Sequence, residues 1–195
     1  MSLTETFPTA AASASATATA PRAVSMPIEF LASLRQSVLT ANAGSTGISI
    51  DAVRDAGYQA GQALFDQFAN WLDEQGEQSP TELADSRFPM LCEAFFHAHG
   101  WGRVEVTAIS DAVVMLDAFE WGEASDADGG CLVSTGLFAG FLGRLAGAPL
   151  SVLEVDPGAT AAGRCRFLVG SVDVLGYIWE AMQRGIPYER AAHSA

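Results

Sequence analysis

The chain has 195 residues, 49% of them apolar and 17% charged, and a formal net charge of −13. That length and apolar fraction suit one domain with a substantial core, and the acidic balance excludes nucleic acid, whose phosphates need a basic surface. It also disfavours anionic membrane surfaces, and no apolar run reaches the length of a membrane span.

Residues 1–25 are rich in Ala, Ser, Thr and Pro, without a periodic apolar face, and read as a disordered tail. They lack the basic start and apolar stretch of a signal peptide. An odd count of three cysteines does not suggest a secreted disulfide framework, so a reducing cytoplasm is expected. A single domain is expected over 26–187, with a short tail at 188–195. Its first helix begins near Pro27 and places Ile28, Leu31, Leu34 and Val38 on one side.

A long helix follows from Asp51, a candidate N-cap, to a stop at Gly76. Its apolar stripe includes Val53, Gly57, Ala60, Leu64, Phe68 and Leu72. Gly57 and Gly61, four apart, invite close approach of another backbone, either a sheet or a second subunit. FPMLCEAFFHAHG reads as a further apolar helix, GRVEVTAI and AVVMLDAFEW as two strands, and Cys131 to Leu145 as a buried helix ended by Gly147 and Pro149. PLSVLEV and RCRFLVG form a hairpin, and SVDVLGYIWEAMQRG a last helix. The fold class expected from this order is α/β (α+β), a mainly antiparallel sheet packed with helices.

Cys131, Glu154 and Cys165 form the chemical constellation. Alternation puts Val152 and Glu154 on one strand face and Cys165 and Phe167 on one face of the next. A register pairing Glu154 with Cys165 brings both side chains together, and Cys131, at the start of its helix, can reach the same corner. Two thiolates and a carboxylate suit zinc, with Asp156 or a water as fourth ligand; the alternative is two cysteines buried as small hydrophobes. His97 and His99 point to opposite sides of a helix, and no phosphate-loop lysine or dinucleotide fingerprint accompanies the glycines of GLFAGFLG. Among the aromatic residues, Trp101, Phe119, Trp121, Phe138 and Phe141 are the candidates for lining an apolar ligand pocket.

In order along the chain, DAGYQAGQALFDQF, HGWGRVEV, FEWGEA, Cys131 with GFLGRLAG after it, and Glu154 with Cys165 eleven positions on resemble the 4-vinyl reductase domain family. The resemblance spans roughly residues 28–184. It implies a small-molecule-binding domain, related in fold to heme-nitric-oxide-binding domains and transport-particle subunits. It also implies a zinc site whose four ligand positions correspond to Cys131, Glu154, Pro157 and Cys165, one of them replaced by proline. The reading that follows is a stand-alone cytoplasmic module, not itself an enzyme, that binds a small hydrophobic ligand. It would pair as a homodimer through the Gly57/Gly61 face and signal to another protein. The alternatives are a reductase or accessory factor in bacteriochlorophyll synthesis, and a ligand-free interaction scaffold.

Overall fold

In the computed structural model the described residues are 27–42, 49–124, 130–155 and 164–195. Along the chain lie helices α1 (Ile28–Asn42), α2 (Ile50–Glu74) and α3 (Phe88–Ala98), strands β1 (Arg103–Ala108) and β2 (Val114–Phe119), and helix α4 (Leu132–Ala146). Strands β3 (Ser151–Glu154) and β4 (Cys165–Gly170) follow, then helices α5 (Val172–Gln183) and α6 (Tyr188–His193). The four strands form one sheet in the order β1-β2-β4-β3 with every neighbouring pair antiparallel. The α+β class is therefore as expected. Among the described residues, no helix is long and apolar enough to cross a membrane.

Strand alternation sorts the core into two layers. Val104, Leu116, Ala118, Cys165, Phe167 and Val169 face α2, α3 and α4 in the main cluster. Leu168 faces the other way, against Leu175, Ile178 and Ala181 of α5 and Ala191 and Ala192 of α6. Residues 188–195, read as a tail, thus contribute a helix with a buried side. Arg166 ties that helix to the sheet: it holds both carboxylate oxygens of its cross-strand partner Asp117 at 2.6 and 2.7 Å and donates to the Tyr188 hydroxyl at 2.9 Å. The Asp117 hydrogen bond, and less so Tyr188, holds the guanidinium more firmly protonated than usual.

Three local expectations change. The N-cap of α2 is Ser49, whose hydroxyl accepts from Ala52 N–H at 3.0 Å, while Asp51 lies in the first turn, where its charge favours the helix dipole. In the β3–β4 hairpin Glu154 pairs with Phe167, not Cys165. The two-residue slip preserves parity, so both side chains still share the α4 face. Third, the Gly57/Gly61 face is occupied within the chain. A Cβ on Gly57 would lie 2.2 Å from Val133 O, and one on Gly61 2.0 Å from Leu137 O; reciprocally, Gly136 and Gly140 meet Arg54 O at 2.0 Å and Tyr58 O at 2.2 Å. Four glycines thus let α2 and α4 cross backbone on backbone, and that face is not available to a second subunit.

Candidate functional site

The site is built around the start of α4. Its N-cap residue is Cys131, which offers no side-chain cap, so the amides of the first turn need acceptors from elsewhere. Two carboxylates supply them. Glu154, at the end of β3, accepts from Cys131 N–H at 2.8 Å. Glu123, fully buried, accepts from Val133 N–H at 2.9 Å and Ser134 N–H at 2.8 Å, and from the Ser134 hydroxyl at 2.6 Å. Both anions sit at the positive end of the helix dipole. Gly130 makes the Glu154 approach possible: its φ is +70°, and a Cβ there would come 2.9 Å from Glu154 Oε2.

Cys131, Glu154 and Cys165 converge as expected, with one ligand atom from each lying within 4.8 Å of the others. The two cysteines are joined as a disulfide, with Cα atoms 7.0 Å apart. In that form neither sulfur is a thiolate. Reduced, the three residues supply two thiolates and a carboxylate, a donor set that fits zinc. A carboxylate has about four lone-pair sites, so accepting from Cys131 N–H is compatible with ligation. Asp156 and Pro157 lie outside the described residues. The remaining cysteine, Cys92, is buried elsewhere in the core, and burial, then the nearby Glu93, pushes its thiol well above the ordinary range.

Beside this corner lies an aromatic layer. Trp121 stacks on Trp101 at 5.5 Å and contacts Phe138 at 5.1 Å and Phe96 at 5.6 Å; Phe96 in turn meets Phe138 and Phe141. The Trp121 indole donates to the Ser134 hydroxyl at 2.7 Å, linking this layer to Glu123 and the start of α4. Gly102 brings the two tryptophans together: with φ +118°, its Cβ position lies 2.6 Å from Phe119 O, and Gly122 N–H donates to Trp101 O at 3.0 Å. Of the five expected pocket residues, Trp101, Trp121, Phe138 and Phe141 belong to this layer. Phe119 does not: strand alternation turns it to the other side of β2, where the Arg103 guanidinium lies 4.3 Å from its ring.

Sequence reasoning missed Glu123 and Ser134. The available signal was a helix beginning Cys-Leu-Val without a capping residue of its own, preceded by an acid in FEWGEA. Phe96 is one of several aromatic residues that the sequence offers for a cavity wall, but an apolar helix gives no sign of which neighbour its ring meets.

No family model and no curated protein matches the sequence. Solved structures do. The phenol-responsive sensory domain of the transcription activator PoxR, with phenol, aligns at TM-score 0.55 and 14% identity, over 88% of this chain and 84% of that one. A trafficking protein particle complex subunit 3 from Naegleria fowleri, covalently bound to palmitic acid, aligns at 0.51 and 14%, over 73% and 93%. The chain has their fold. A vinyl-4-reductase family protein from Methanocaldococcus jannaschii, of the family that the sequence motifs resemble, is also similar, at TM-score 0.48 and 15% identity over 77% and 85%.

Proposed function

We propose that the chain is a binding module for a small hydrophobic molecule, with the ligand site in the aromatic layer between α4 and the sheet. The observation that carries this reading is the set of contacting buried rings Phe96, Trp121, Phe138 and Phe141, of which Trp121 donates to the Ser134 hydroxyl. An apolar wall with a placed polar group is the usual composition of a ligand site. The same fold is phenol-responsive in one solved domain and carries covalent palmitic acid in another. The rings touch one another, so a ligand enters by parting them. Because Ser134 lies in the first turn of α4, that movement reaches the Cys131–Glu154–Cys165 corner.

In a reducing cytoplasm Cys131 and Cys165 are thiols, and with Glu154 they would hold one zinc ion. The ion would supply a cross-link from α4 to β3 and β4. The corner's own residues keep the start of α4 registered against the hairpin, and a change there is the output read by a partner protein.

Phenol and palmitate are suitable first probes, with intrinsic tryptophan fluorescence, to which Trp101 and Trp121 contribute two of the four indoles, as readout and thermal melting alongside. A ligand at about 100 times its dissociation constant adds about 2.7 kcal/mol, a rise in melting temperature of about 5–10 °C for a domain of this size. A saturable fluorescence change with that rise supports the module. Flat responses to both probes contradict it and favour the scaffold reading.

A further inference from the structure

The aromatic layer adjoins a hydrogen-bond relay that runs in one direction. Of the buried rings Phe96, Trp121, Phe138 and Phe141, only Trp121 carries a polar hydrogen. An indole N–H donates and cannot accept. Its hydrogen goes to the Ser134 hydroxyl oxygen at 2.7 Å. A hydroxyl has one hydrogen of its own, and Ser134 gives it to Glu123 Oε2 at 2.6 Å. Glu123, fully buried, also accepts from the amides of Val133 and Ser134 at 2.9 and 2.8 Å. The neighbouring hydroxyl, Thr135, donates to Cys131 O at 2.8 Å. From indole to hydroxyl to carboxylate, each side-chain hydrogen of the relay is thus committed inside the protein. Ser134 Oγ keeps a second lone pair that can accept.

We infer that Ser134 is a specificity-determining residue: by occupying the Trp121 N–H, it sets the site for hydrocarbons and against ligands whose oxygen can only accept. This inference rests on the ligand site proposed above. A ketone oxygen buried among the rings gives up its hydration and finds no hydrogen in return, the costly case for a buried polar group. A hydrocarbon of the same shape needs no partner. A hydroxylated ligand stands between the two, because its O–H can donate to the second lone pair of Ser134 Oγ. The selection acts through hydrogen-bond direction, not through size. Ser134 decides it, since the Trp121 hydrogen would serve an acceptor ligand if it were free. Ser134→Ala frees that hydrogen while leaving Glu123 on the two backbone amides, so the alanine variant should welcome the oxygen that the wild type rejects.

Ethylbenzene and acetophenone, matched in shape and differing by one carbonyl, test this by isothermal titration calorimetry on the full chain. The wild type should bind ethylbenzene more tightly, by about tenfold or more. Acetophenone is also the better hydrated probe, so the deciding quantity is the change in the affinity ratio on mutation. Ser134→Ala should move that ratio about tenfold towards acetophenone, and acetophenone should restore more of the variant's lost melting temperature than ethylbenzene does. Trp121→Phe in the otherwise wild-type chain should leave the ratio within about twofold, because the N–H it removes is already committed. This second variant decides the matter even where Ser134→Ala does not fold. A wild type that binds neither probe removes the ligand site and the inference with it. Ethylbenzene binding with a ratio unmoved by Ser134→Ala, or acetophenone selectively weakened by about tenfold in Trp121→Phe, overturns the role of Ser134 and leaves the site standing.

Discussion

At the scale of single residues, the start of α4 depends on acids it does not contain. Glu123 is completely buried, yet both oxygens accept hydrogen bonds from the first turn. Glu123→Ala leaves two amides and a hydroxyl without that acceptor and should cost about 2–4 kcal/mol, read as a lower urea midpoint; Glu123→Gln, which keeps one carbonyl oxygen, should cost about half as much. An unchanged midpoint for the alanine variant would show that the cap is dispensable. Cys131 and Cys165 belong to the same turn of structure. With reductant present, the chain should take up about one zinc ion, and Cys131→Ser or Cys165→Ser should abolish uptake; equal uptake by the variants would remove these residues from the metal site. Cys92 behaves differently: buried, its thiol is held protonated, so iodoacetamide should label it only in denaturant.

At the scale of elements, the crossing of α2 and α4 is fixed by bare backbone on both helices. Gly61→Ala would place a methyl 2.0 Å from Leu137 O, and the helices must separate to accept it. About 3 kcal/mol or more of stability should be lost, together with ligand response, since α4 carries Ser134 and Phe138; a variant as stable as wild type would contradict the packing. The Gly57/Gly61 spacing was legible as a close approach, but which backbone approaches was not. A missing side chain records proximity without identity, and the matching Gly136 and Gly140 were read only as part of a small, apolar helix. The hairpin shows a similar division. Period-two alternation determined that Glu154 and Cys165 share a face, whereas the pairing depends on the 155–164 connection, and the register differs by two residues from that expected. Phe119 was expected in the pocket wall as one of the aromatic residues, while its place in β2 turns it to the opposite side of the sheet from Ala118.

For the whole molecule, two motifs far apart in sequence become one structural unit. HGWG at the start of β1 and FEWG at the end of β2 meet because the strands pair Arg103 with Phe119, which stacks Trp101 on Trp121 and carries Glu123 under α4. The aromatic layer, the capped helix and the Cys131–Glu154–Cys165 corner are consequently contiguous, and a molecule parting the rings would act on all three. The order of helices and strands was readable from hydrophobic periods and glycine stops, while this contiguity required the sheet. Native mass spectrometry of the intact chain, after exposure to phenol or palmitate, reads ligand binding without an intermediary. One small hydrophobic molecule should be retained per chain. A bare chain after both exposures would contradict it.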